Sequence, residues 1–109
     1  MINNLSRPVL TPLMNASAMG NIGAVREFLQ AGADVNQIGP RRSTALMFAS
    51  GAGHLELVNE LVANGADIEL VEDGGWNALR IAEEDGEYEI AEFLRTKLRF
   101  RRAAEFDRD

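Results

Sequence analysis

Four landmarks recur in this chain at an interval of 33 residues, and this internal repeat constrains its fold more than any other feature. The strings TPLMNASAMG, TALMFASGAG and NALRIAEEDG begin at Thr11, Thr44 and Asn77. Their leucine, alanine and glycine positions stay in phase, and AGADVN at 31–36 returns as NGADIE at 64–69. Such a period indicates one supersecondary unit used three times, which buries its apolar face only by stacking on its neighbours.

Each unit predicts a pair of helices. The first helix follows a Thr or Asn side chain that can accept a hydrogen bond from the free amides of a helix start. Small residues come next, which permits close approach to a neighbouring helix. In HLELVNELVANG the apolar residues recur at a spacing of three and four, which is typical of one buried face of a second helix. Glycines suited to helix ends are Gly20, Gly53 and Gly86 after the first helices and Gly32 and Gly65 after the second.

Over about residues 7–98 the chain resembles the ankyrin repeat family. The matching motifs are the Thr-Pro-Leu and Thr-Ala-Leu starts, the Gly-His at 53–54 and the Gly-Ala-Asp-Val-Asn at 32–36. The resemblance implies an all-α solenoid of stacked helix-turn-helix units joined by short β-hairpin loops. We therefore predict a single domain over residues 1–109, with repeats at about 7–36, 37–69 and 70–102.

The chain departs from the family pattern where the first helices meet the hairpins. The histidine that the family places in the first helix is replaced by Met, Met and Arg in the three repeats. The hairpin glycine of the family is kept as Gly75 but is Arg42 in the earlier hairpin, where Gly39 also replaces an aspartate. We therefore expect the first hairpin to have a different shape.

The two ends of the array need caps, because each end repeat has only one neighbour. Residues 95–102 hold five cations and no acid, and cations near a helix C-terminus are favoured by the helix dipole. We interpret the helix end at 95–109 as a cap, with a basic docking patch as the alternative. No Gly or Pro interrupts residues 93–106, so the last helix is predicted to reach about residue 103. The apolar N-terminal segment, residues 1–10, either folds back as a cap or supports weak self-association of an otherwise monomeric chain.

Charge and composition argue against several classes of protein. A net charge of −6 disfavours binding to nucleic acid or to an anionic membrane surface, so we predict neither partner. The chain has no cysteine, which excludes disulfides and thiolate metal sites. No apolar stretch approaches the roughly 20 residues that a membrane helix needs, and residues 1–20 lack a signal-peptide pattern. We therefore expect a cytoplasmic location.

The sequence offers no residues arranged for catalysis, so we predict no enzymatic activity and no cofactor. The single histidine, His54, stands where the ankyrin family commonly has a structural histidine, and no second His or Cys can pair with it. The run EEDGEYE at 83–89 lacks the spacing of a calcium loop, and we interpret it as a solvated acidic surface. The alternatives are a metal-dependent enzyme or ligand-binding protein that uses this acidic patch, and a self-associating structural unit.

The resemblance implies binding to another protein, because ankyrin arrays typically use a concave face of hairpin tips and first helices. Between Glu56 and Glu92 twelve acids and one base give a net charge of −11, which favours a partner with a basic patch. We therefore predict an adaptor or inhibitor module. Trp76 is either an interface anchor or a ring that packs on the neighbouring arm. The predicted partner-binding residues are Arg41, Arg42, Ser43, Asp73, Trp76, Arg80, Glu84 and Asp85.

Overall fold

Three helical hairpins stand side by side in the computed structural model of the chain, which describes residues 9–106 and their side chains as far as residue 101. Within that range the structure contains helices and no strands, so the predicted all-α class is confirmed. A short turn with 3-10 hydrogen bonding, Pro40–Arg42, lies between the first two hairpins. The helices are α1 (Pro12–Met19), α2 (Ile22–Gln30), α3 (Ala45–Ala52), α4 (Leu55–Ala63), α5 (Ala78–Glu84) and α6 (Tyr88–Phe106).

Capping side chains fix where α1, α3 and α5 begin. The Thr11 hydroxyl accepts a hydrogen bond from the amide three residues later at 3.1 Å, and Thr44 and Asn77 repeat this contact at 3.3 and 2.8 Å. Gly20 and Gly53 follow α1 and α3 with φ of 77° and 82°, a left-handed conformation that only glycine adopts without strain. The periodic landmarks of the sequence are therefore the boundaries of these helices.

The six helices form two rows that differ in spacing. The first helices, α1, α3 and α5, pack closely against one another, whereas α2, α4 and α6 make far fewer contacts within their own row. Buried alanines, Ala16, Ala49 and Ala82, allow the close approach because they add little volume between the helices. Tighter spacing in one row bends the stack toward that row, so the first helices face the concave side.

The leucines at the third position of each repeat motif show where the stack ends. Leu13 is 4% exposed and Leu46 1% exposed, because each is covered by its own and the following repeat. Leu79 packs against the same core but is only partly buried, since the described residues place no further repeat against its outer side. The leucines in phase at this position are therefore buried at Leu13 and Leu46 and only partly buried at Leu79.

Polar side chains join the first repeat to the second. Nε2 of His54 donates a hydrogen bond to a carbonyl of α1 at 3.3 Å, and its ring covers Gly20, where a Cβ would lie 2.7 Å from Cε1. The side chain of Asn36 accepts a bond from the Asp67 amide at 2.7 Å and donates one to the Gly65 carbonyl at 3.1 Å. These contacts support the structural role predicted for His54.

The ends of the array differ in what can be described. Helix α6 reaches Phe106, three residues beyond the predicted end, so the expected long last helix is confirmed. The cap or self-association predicted for residues 1–10 falls mostly on residues 1–8, which lie outside the described residues, as do residues 107–109. Val9 and Leu10, at the start of the described chain, are both exposed.

Replacement of Leu46 by alanine tests the stacking directly. Because the side chain is buried between repeats, Leu46→Ala should lower the free energy of unfolding by about 2–5 kcal/mol. Urea denaturation followed by circular dichroism gives the value. Met19→Ala, at an exposed position of α1, is the matched control and should change stability by less than about 0.5 kcal/mol.

Two equivalent serines lie buried in the first helices α1 and α3, and replacing one of them should raise the stability of the protein. The hydroxyls of Ser17 and Ser50 are fully buried and have no hydrogen-bond partner among the described residues. Removing an unpaired buried hydroxyl removes its desolvation cost, so Ser50→Ala should raise the free energy of unfolding by about 1 kcal/mol. A loss of stability in the same urea titration would show that the hydroxyl is hydrogen-bonded in solution.

Candidate functional site

Two hairpin loops, residues 39–43 and 72–76, lead directly into α3 and α5. They therefore stand beside the concave row, which is the row of first helices α1, α3 and α5. One backbone hydrogen bond closes each loop between its first and last residues, at 2.8 Å in the first and 3.0 Å in the second. The amide of Asp73 donates to the carbonyl of Arg41 at 2.9 Å, which joins the two loops. Three predicted residues, Arg41, Arg42 and Ser43, lie in the first loop.

The first hairpin contains two arginines in a left-handed conformation. Arg41 and Arg42 have φ of 58° and 63°, and the amide of Ser43 donates to the carbonyl of Pro40 at 3.0 Å. These values resemble a type I′ turn, which normally requires Gly, Asn or Asp. The equivalent residues one repeat later are both glycines, and Gly75 has φ of 88°. The predicted difference in shape is confirmed, and it places side chains where the backbone is strained.

Packing beneath the first hairpin accounts for another departure from the family pattern. Met14, which is 1% exposed, fills the space beside Gly39, and a Cβ at Gly39 would collide with its sulfur and terminal methyl. Gly39 replaces the aspartate of the family pattern, and Met14 replaces its histidine. The larger side chain of Met14 therefore fills the space that the missing aspartate side chain leaves. In the second hairpin a carboxylate is kept, and Oε1 of Glu72 accepts a bond from the Trp76 amide at 3.1 Å.

An apolar cavity of about 270 Å³ opens between the hairpins and the inner helices. Its floor is formed by Met47 and Phe48 of α3 and by Ile81 of α5, and the hairpins supply the rim. Arg41 contributes to this rim, so the strained turn and the cavity share a residue. The lining residues are Pro40, Arg41, Ser43, Met47, Phe48, Glu72 and Ile81.

Trp76 and Arg80 form a stacked pair at the second hairpin. The guanidinium carbon of Arg80 lies 5.0 Å from the centre of the Trp76 ring, within the range of a cation–π contact. Nε of Arg80 also donates to Glu84 at 3.1 Å, so the two residues keep the arginine beside the ring. Trp76 remains 38% exposed, which leaves part of the ring available for contact with a partner.

The far end of the concave row is acidic. Asp85 follows α5 and is exposed, and a Cβ at Gly51 would lie 3.2 Å from its Oδ2, so the end of α5 lies close to the end of α3. Arg95 of α6 bonds Glu83 at 2.8 Å and Glu92 at 2.9 Å, which fastens α6 to the end of α5. The hydrogen bond to Glu83 raises the pKa of Arg95 and so favours its charged form.

The structure divides the predicted site residues into two groups. Arg41, Arg42, Ser43 and Asp73 belong to the joined hairpins, whereas Trp76, Arg80 and Glu84 form a connected chain of contacts along α5. Asp85 continues the second group at the end of that helix. Within residues 9–101 neither Arg41 nor Arg42 forms an ion pair, in contrast to Arg80 and Arg95.

Sequence reasoning missed a second cavity, larger than the hairpin cavity, which lies on another part of the stack. It measures about 650 Å³ between α6 and the loop that follows α4. It exists because α6 continues as a helix where the earlier repeats turn into a return loop, and it leaves Phe100 68% exposed. The absence of Gly-Ala-Asp from the third repeat was the available signal. The lining residues are Asn36, Val62, Gly65, Ala66, Asp67, Ile68, Lys97, Phe100 and Arg101.

Among the side chains of residues 9–101, no group of three or more His, Asp or Glu is arranged to hold a metal ion. No described helix combines the length and the apolar composition needed to cross a bilayer.

Exchanging residues between the two hairpins tests the backbone strain. Arg42→Gly should raise the free energy of unfolding by about 1 kcal/mol, because relief of about 1–2 kcal/mol of left-handed strain exceeds the added freedom of the unfolded chain. The reverse change, Gly75→Arg, should lower stability by a similar amount. Thermal and urea unfolding of both variants measure the effect, and equal stabilities would contradict a strained turn.

A family model described as "Ankyrin repeats" matches residues 13–102 in three copies. No curated protein matches the chain.

Proposed function

Because the chain belongs to the ankyrin repeat family, whose repeats are generally protein–protein interaction modules, we propose that it is an adaptor or inhibitor that binds a partner protein on its concave face. The proposed binding surface consists of the two joined hairpins and the exposed side of α5. The proposed activity is binding itself, by a monomeric chain.

Trp76 is the observation that supports this location most directly. Its ring is partly exposed and is oriented by Arg80, which Glu84 holds in turn. An aromatic side chain held in this way loses little conformational freedom on binding, which is the property of residues that dominate interface energetics. Trp76 stands between the hairpin cavity and the acidic end of α5, so a partner that lies across the concave face would contact it.

The charge of the surface supports a basic patch on the partner. Of the twelve acids between Glu56 and Glu92, four form salt bridges with described residues: Glu60, Glu83, Glu84 and Glu92. The other eight make none within residues 9–101, and Asp85 is one of them, next to Glu84 in the chain. Unpaired carboxylates attract a cationic partner over a distance of about 10 Å at 0.1 M salt, which accelerates encounter.

A combined variant tests the concave face. Partners captured by affinity purification from the native cell and identified by mass spectrometry should bind Trp76→Ala/Glu84→Lys/Asp85→Lys at least about tenfold more weakly than the unmodified chain. The loss combines a removed aromatic anchor with reversed charge, and titration of a purified partner by calorimetry measures it. Raising the salt concentration should weaken binding to the unmodified chain more than to the variant.

A second variant with the same change in charge serves as the control. Tyr88→Ala/Glu56→Lys/Glu89→Lys also removes one exposed aromatic side chain and reverses two exposed acids, but on the outer helices α4 and α6. It should retain affinity within about twofold, because exposed charges outside an interface contribute little. If the control loses affinity and the concave variant retains it, the binding face is the outer one.

A further inference from the structure

We infer that the first hairpin and the cavity beside it form a subsite for a peptide element in which an acidic side chain stands next to a large apolar one. The inference rests on the proposed function, because it specifies what the partner presents at one end of the same surface. The basic patch proposed above would meet the other end, near Asp85.

The strained turn is the first observation behind this subsite. Arg41 and Arg42 are both left-handed, whereas in the second hairpin Gly75 has a positive φ and Gly74 does not. Strain of this kind persists where another interaction compensates for it and is concentrated at binding and switch sites. Within residues 9–101 neither guanidinium has an ion-pair partner, so the described part of the fold does not supply that compensation through charge. Two adjacent exposed guanidinium groups are suited to bind a carboxylate through paired hydrogen bonds.

The cavity is the second observation. Its volume of about 270 Å³ falls below the roughly 300–1,000 Å³ of pockets for drug-sized ligands, so it suits a single large side chain. Met47, Phe48 and Ile81 give it an apolar floor. The Ser43 hydroxyl also lies at the cavity but is buried, so we assign it no contact with the peptide.

The arginines and the cavity are close enough to bind neighbouring residues of one peptide. Arg41 belongs both to the strained turn and to the wall of the cavity. Successive Cα atoms of a peptide are about 3.8 Å apart, so an acid beside the apolar residue comes near the guanidinium groups when that residue fills the cavity. The peptide has to turn at this point, because in a straight strand adjacent side chains point to opposite faces. The carboxylate of Glu72 lies at the same cavity but is bonded to the Trp76 amide, so it is already engaged in the fold.

The charge of the protein around the two arginines favours a peptide with an isolated carboxylate over a nucleic acid as the ligand. The chain carries −6 overall, and Asp73 stands in the loop joined to Arg41, so a run of phosphates would be repelled at either side of the two arginines. An isolated carboxylate beside an apolar side chain avoids that repulsion and gains the cavity.

Two synthetic peptides test the subsite on the unmodified full-length chain. Acetylated and amidated Gly-Ser-Asp-Leu-Asp-Gly-Ser is titrated into isotope-labelled protein, in parallel with Gly-Ser-Lys-Leu-Lys-Gly-Ser, and the backbone amide shifts are followed by NMR. We expect the acidic peptide to shift the amides of Arg42, Met47, Phe48 and Ile81 and to bind at least about fivefold more tightly than the basic peptide. This comparison does not depend on any variant folding correctly.

Variants then separate charge from strain. Arg41→Gly/Arg42→Gly should fold with raised stability and bind the acidic peptide at least about fivefold more weakly, whereas Arg41→Lys/Arg42→Lys, which keeps both charges, should lose less. Arg99→Ala/Arg101→Ala removes the same charge from exposed positions of α6 and should bind as the unmodified chain does.

Several results would overturn the subsite. These are equal binding of both peptides, shifts centred on the cavity beside Phe100, no shift at millimolar peptide, or the same shifts with inorganic phosphate alone. None of these results changes the affinity expected between captured partners and the Trp76→Ala/Glu84→Lys/Asp85→Lys variant. The subsite and the concave-face function can therefore fail separately.

Discussion

Contact between neighbouring first helices is the interaction on which the rest of this structure depends. Leu46 is buried by two repeats at once, and the alanines in phase with it let the inner helices approach more closely than the outer ones. No single repeat could bury that apolar surface alone, so the fold exists only as a stack. The same difference in spacing bends the stack and creates the concave side on which the candidate site lies.

The hairpins turn this regular scaffold into a particular surface. Positions that are equivalent in the repeat sequence hold Arg41 and Arg42 in the first loop and Gly74 and Gly75 in the second. Met14 beneath Gly39 and Glu72 beneath Trp76 then support two loops of different chemistry with the same connectivity. The side chains of the two loops therefore differ although the repeats share one fold, so each repeat can present different binding groups.

Charge is distributed along the same surface in a graded way. The first hairpin presents two cations without ion-pair partners in the described part of the chain, Arg80 is held between Trp76 and Glu84, and the end of α5 is acidic. A partner that fits this arrangement would carry complementary groups in the opposite order. Such a sequence of charges restricts orientation as well as identity, because a reversed ligand would bring like charges together.

The sequence by itself determined the repeat period, the helix boundaries and the all-α class, because capping residues, left-handed glycines and apolar spacing act locally and recur in phase. It also located the two hairpins and the unusual residues within them. Only the tertiary structure decided the partial exposure of Leu79 and the cavity beside Arg41, since both depend on how neighbouring repeats lie against one another. It also decided the stacking of Arg80 on Trp76, which depends on side-chain conformations within one repeat. Local patterns fix the elements, whereas the distances between side chains from different repeats are set by packing.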